Sequence, residues 1–226
     1  MSSPSLAERY PAVPYIVPFA TFIALMGVEH YLELPAQVFY PIRFFVVAAL
    51  LVVISRNAIP LRPSYPVASV LMGLGVFVLW IAPDFLFHYR GHWVFQNSIT
   101  GKAASSLAPE LTHSIPFLLI RTAGATLNVP IFEELFWRGW LMRWLINNDF
   151  RKVAIGAYQP MAFWLTAALF ASEHGAYWEV GLLAGVVYNW WVIRTRNLAD
   201  CIWAHAVTNG ALSVYVIAAG QWQYWL

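Results

Sequence analysis

The sequence predicts an all-α protein, a polytopic bundle of seven or eight transmembrane helices, and three observations carry that prediction. Of its 226 residues, 60% are hydrophobic and only 11% charged, with a mean hydropathy of +0.60. A soluble domain carries roughly a quarter charged residues. The apolar residues gather into runs long enough to span a bilayer. Once those runs are threaded, the basic residues fall almost entirely on one side. One domain, residues 1–226, accounts for the length, with no internal repeat and no linker.

Taken in order, the first run covers 13–28. The start before it has neither a basic leader nor a small-x-small cleavage site, so the run reads as a retained span. Runs at 38–55 and 66–87 follow, and then the one long polar connection, "HYRGHWVFQNSITGKAASSLAPELTH" at 88–113. The next run, 114–146, is too long for one straight span: 33 residues at ~1.5 Å each reach roughly 50 Å against a core of ~30 Å. Asn128 and Pro130 mark the expected break, because proline removes a backbone donor and kinks a helix. The run therefore counts as one bent helix or as two. Runs at 160–174, 177–193 and 201–219 complete the set, and the ending "QWQYWL" suits an interfacial aromatic anchor.

With 114–146 as one crossing, Arg9, Arg56, Arg62, Arg143, Arg151, Lys152, Arg194 and Arg196 sort to one side, and Arg90 and Lys102 to the other. This asymmetry makes the N-terminus cytoplasmic and the C-terminus external. The net charge of +2 says little beside that placement. The single cysteine, Cys201, excludes an internal disulfide and any multi-cysteine metal site. The expected partners are the lipid bilayer and a membrane-associated protein or peptide, with no nucleic acid.

Ionisable residues at membrane depth are costly and face a cavity or a partner. Arg43, Arg121, Glu133, Glu134, Arg138, Glu173, His174, His205 and Asn209 are the polar residues that need explaining. Glu134 and Arg138 stand at i,i+4, so they can pair on one helical face, and Glu133 then projects about 100° away. His205 and Asn209 share a face in the same way. By residue count Glu133 and His174 both lie roughly 20 Å from the basic side, with His205 somewhat nearer to it. The three are expected to meet in a cavity slightly off the midplane, open to cytosolic water. A spare carboxylate, two histidines and an asparagine on three helices are the parts of a hydrolytic site. One base takes a proton from water, one group orients it, and donors hold the developing oxyanion.

"EELFWR" (133–138), "FASEH" (170–174) and "HAVTN" (205–209) resemble the EExxxR, FxxxH and HxxxN motifs of the type II CAAX prenyl endopeptidases. This is the abortive-infection, or CAAX-protease-and-bacteriocin-processing, family of intramembrane proteases. The resemblance covers residues 114–219. The wording "ELFWRGWLMRWL", "WEVGLLAGVVYNW" and "AHAVTNGALSVYV" is more similar to a bacterial branch of CAAX prenyl protease-related proteins, whose members often accompany exosortase sorting systems. The resemblance implies a bacterial inner-membrane endopeptidase with no metal and no other cofactor. Glu133 with His174 would activate the attacking water, His205 and Asn209 would stabilise the oxyanion, and Glu134 with Arg138 would hold the site together.

Other readings stay open on the residues alone. Glutamate, two histidines and asparagine can bind zinc, although the HExxH signature is absent. The same buried set can serve a proton-coupled transporter or an immunity-type membrane protein, although no inverted repeat is visible. It can also act purely as interhelical glue. No eukaryotic substrate is carried over; the expectation is a peptide presented at the membrane from the cytoplasmic side.

Overall fold

The computed structural model describes residues 9–32, 34–105 and 107–225. Residues 1–8, part of the start read above, and Leu226 of the terminal aromatic stretch lie outside the described residues. Among the described residues the chain is all-α and runs up and down through seven helices. These are α1 (Val13–Leu32), α2 (Ala36–Leu50, continued by a π-helical turn at Leu51–Ser55), α3 (Pro66–Phe87), α4 (Ile115–Trp144), α5 (Pro160–Ser172), α6 (Trp178–Thr195) and α7 (Leu198–Ala219). By length and composition, Ala36–Ser55, α3, α4 and α7 are each sufficient to cross a membrane, while Val13–Glu29 of α1 and the whole of α5 are shorter apolar stretches.

Helix ends follow local chemistry. Pro66 and Pro160 open α3 and α5, where a missing N–H costs nothing. The Gln159 side chain accepts from Ala162 N at 2.7 Å, and the Asn197 side chain accepts from Ala199 N at 2.9 Å. Buried Asp200 accepts from Ser64 N, Tyr65 N and Ser69 Oγ at 2.7–3.0 Å. It thereby serves donors at the start of α3, where a negative charge is favoured.

The helices alternate in direction, which fixes two ends. At one end Ser55 Oγ donates to Pro14 O (2.6 Å) and Asn197 Nδ2 to Arg62 O (2.9 Å). This is the end of Arg56, Arg62, Arg143, Arg151, Lys152, Arg194 and Arg196. At the other, Tyr40 Oη donates to Arg121 O (3.3 Å), Arg90 Nη1 to Ala176 O (2.6 Å) and Tyr177 Oη to Gln223 O (3.2 Å).

Small residues bring the site-bearing helices together, as membrane packing requires. A Cβ on Gly73 of α3 would strike the Ala204 carbonyl and the Val207 side chain of α7. Thr208 Oγ1 also donates across that contact to Gly73 O at 2.8 Å. Gly185 of α6 lies against Ala167 of α5. Phe132, Leu135, Phe170, Tyr188 and Val192 form the centre of the core, while Val53, Val67 and Leu119 stay exposed on the outside, as a lipid-facing surface would.

The run at 114–146 resolves as one helix, α4, with no interruption. Two π-helical stretches, Gly124–Asn128 and Leu135–Leu141, lie within it. The first ends just before Pro130, where the sequence expected a break. A wider turn accommodates the proline without stopping the helix.

Candidate active site

The first wide turn of α4 has a direct consequence. Val129 N–H donates five residues back, to Gly124 O, and Pro130 has no N–H. The Ala125 carbonyl is therefore served by neither the residue four ahead nor the residue five ahead. Asn209 of α7 supplies the missing donor, with Nδ2 at 2.9 Å. The amide keeps a second N–H.

One turn further along α4 the two glutamates part company. Glu134 is fully buried, and its Oε1 lies 3.0 Å from Arg138 Nη1. Arg138 spreads its other donors over α6, from Nε to Asn189 Oδ1 (2.8 Å) and from Nη2 to Gly185 O (3.2 Å). Asn189 Nδ2 passes the connection to Phe163 O of α5 at 2.8 Å. The guanidinium lies 4.5 Å from the Phe170 ring centroid and 5.5 Å from that of Tyr188. A buried charge needs this density of partners.

His205 faces both glutamates. Its Nδ1 is 2.9 Å from Glu134 Oε1, and its Nε2 is 4.0 Å from Glu133 Oε2. The Glu134 carboxylate, already paired with Arg138, accepts here, so the proton sits on Nδ1 and Nε2 is turned to Glu133. The ring stacks on Tyr188 at 4.9 Å, and Tyr188 Oη donates to Thr208 Oγ1 at 2.8 Å. Glu133 Oε2 is buried with no hydrogen-bond partner among the described residues.

His174 lies just past the end of α5, on the turn into α6. The sequence had placed it inside a helix. Its Nδ1 is 2.7 Å from Phe170 O, and a carbonyl only accepts, so the proton again sits on Nδ1. The ring packs against Phe170 (4.7 Å) and Trp80 (5.2 Å), and Gly181 leaves room for it: a Cβ there would approach His174 Nδ1 to 3.0 Å. Glu173 accepts from Trp137 Nε1 at 3.0 Å.

Glu133, His174, His205 and Asn209 all line one cavity of about 220 Å³. Arg43 and Arg121, two of the charges the sequence left to explain, line it too. Arg43 pairs with Glu29 at 3.0 Å, and both guanidinium groups lie over Tyr40, at 4.8 and 5.0 Å. The sequence expected an opening toward the basic end; the cavity lining runs the other way along the bundle. From Glu133 and His205 its walls continue through Arg121 to Tyr224 and Trp225, beyond the far end of α7. Among the described residues no three of His, Cys, Asp and Glu are grouped so as to hold a metal ion.

Sequence reasoning missed Tyr188, Asn189 and Thr208, which carry the network sideways. Asn189, a lone amide in "GVVYNWWV", was a readable signal; Tyr188 was hidden among many membrane aromatics. Cys201 is buried with its Sγ 3.5 Å from Tyr188 O, which makes it packing. Residues 115–211 match the family model described as type II CAAX prenyl endopeptidase Rce1-like. No curated protein and no solved structure matches the chain.

Proposed function

Through residues 115–211 the chain belongs to the type II CAAX prenyl endopeptidase family, and on that premise we propose a glutamate-dependent intramembrane endopeptidase. A protease working within the bilayer follows from the family; the division of labour among its residues is our reading. The single observation that carries it is the placement of Glu133, His174, His205 and Asn209 on one cavity, with Glu133 Oε2 buried and without a hydrogen-bond partner among the described residues.

In this reading a water sits between Glu133 and the Nε2 of His174. Its oxygen attacks the scissile carbonyl carbon, and its proton passes to the Glu133 carboxylate. His205, held at Nδ1 by Glu134, donates from Nε2 in its protonated form to the developing oxyanion, and the free N–H of Asn209 joins it. As the C–N bond breaks, Glu133 returns the proton to the leaving nitrogen. Glu134 and Arg138 keep the pieces in register. The basic asymmetry supports an N-terminus on the cytoplasmic side and an external C-terminus, and the membrane of this reading is a bacterial inner membrane.

The experiment is a Glu133→Gln variant in proteoliposomes. It should stay folded, lose cleavage of quenched peptides and retain a co-purifying substrate. Undiminished cleavage by this variant removes Glu133 as the base.

A further inference from the structure

The cavity lining extends from Glu133 and His205 toward one end of the bundle, and the two ends differ in charge. On α4 the lining stops at Glu133 and goes no further toward Trp144; on α7 it starts at His205 and goes no nearer Leu198. Between those residues and the basic end lie Leu135, Met142, Leu198 and Cys201, all buried. In the other direction the walls rise past Arg121 and Trp80 to Tyr224 and Trp225.

Helix length favours the same side. α5 has 13 residues, about 20 Å, too short for a hydrocarbon core of ~30 Å. If α5 starts at the basic interface, the turn bearing His174 ends below the opposite surface. Irregular backbone at that depth must be satisfied by protein or line a watery recess. Both occur. Arg90, from the long loop, donates to Ala176 O and binds Glu179 at 2.6 Å, Trp178 Nε1 donates to Val94 O at 3.3 Å, and His174 itself borders the cavity.

We infer that the catalytic cavity opens to the non-cytoplasmic face, so that the substrate is a membrane-anchored polypeptide presenting its scissile bond from that side. Seven basic residues mark the sealed end as cytoplasmic, since translocating them is disfavoured. The inference rests on the proposed endopeptidase reading for the word substrate; the direction of opening stands on the cavity and the charges.

The test is labelling from each side. Cys201, the single native cysteine, is buried and serves as a silent background. Leu212→Cys and Tyr224→Cys place a thiol on the cavity wall, and Asn147→Cys places one in the loop at the basic end. A membrane-impermeant sulfonated maleimide is applied to right-side-out spheroplasts and, separately, to inverted vesicles. The two cavity thiols should react in spheroplasts and the Asn147→Cys thiol only in inverted vesicles. Cavity thiols that react only in inverted vesicles, or from neither side, overturn the proposal. Using two cavity positions guards against one variant failing to fold. Labelling needs no turnover, so an inactive protein labelled as expected would sink the endopeptidase reading alone.

Discussion

Glu134 Oε1 is shared, accepting from His205 Nδ1 at 2.9 Å and from Arg138 Nη1 at 3.0 Å. One carboxylate oxygen thus ties the histidine of α7 to the arginine that braces α5 and α6. Its neighbour Glu133 meets only the far nitrogen of the same ring, at 4.0 Å.

The two glutamates should therefore fail differently. Glu134→Gln leaves Arg138 without its counter-charge, and breaking a buried pair costs roughly 3–5 kcal/mol. It also exchanges the charged acceptor of His205 Nδ1 for a weaker amide oxygen, so cleavage should fall together with melting temperature. Glu133→Gln breaks no hydrogen bond seen among the described residues, and should keep the melting temperature while losing about 10²–10⁴-fold in rate. Melting in detergent beside peptide cleavage decides it. A stable, inactive Glu134→Gln paired with an active Glu133→Gln would reverse the assignment.

Asn209 and Pro130 should be coupled. Asn209→Ala abandons the Ala125 carbonyl, which costs about 1 kcal/mol or more. Pro130→Ala restores an N–H that the wide turn can direct to that carbonyl. The cost of losing Asn209 should then shrink in the double variant, and a double-mutant cycle in stability measures the coupling. Strict additivity would mean the proline is not what frees the carbonyl.

Gly73→Ala should loosen the contact of α3 with α7. The added methyl has to displace backbone at Ala204, which overpacks by about 1–3 kcal/mol. Because Thr208 bonds both Gly73 O and the Tyr188 hydroxyl, the shift should reach the ring stacked on His205. A melting temperature unchanged from the parent would refute the close approach.

Burial, followed by the Glu179 carboxylate to which it donates at 2.8 Å, pushes the Tyr89 phenol up to about 12. A folded value raised above the unfolded one contributes stability that is complete below about 10 and is lost as pH rises through about 12. Burial also raises the Tyr177 and Tyr224 phenols, so spectrophotometric titration should show several phenols ionising late, and one fewer of them in Tyr89→Phe. The variant should also lose less stability than the parent across that window.

Much of this was legible because helical periodicity is local. A repeat of 3.6 residues puts Glu134 beside Arg138 whatever surrounds them. The same period placed Asn209 one turn from His205. Composition pointed to the membrane class, since 11% charged residues is under half the share of about a quarter that a soluble domain carries. The basic side could be read without any contact, because it depends on which loops carry Arg and Lys.

Relations between helices were another matter. That His205 leans on Glu134 follows from how α4 and α7 cross, and spacing within either helix says nothing of it. Asn209 was expected to hold an oxyanion; that it serves the Ala125 carbonyl depends on a π-helical turn, which looks like any apolar stretch in one dimension. His174 counted as a residue deep in a helix because the apolar run continued past Ser172, yet the backbone leaves the helix there and the ring faces the cavity from a turn. The direction in which the cavity lining runs was hidden for a related reason. Counting residues gives depth along one helix, whereas an opening is what several helices leave unfilled between them, and only their packing decides where that is.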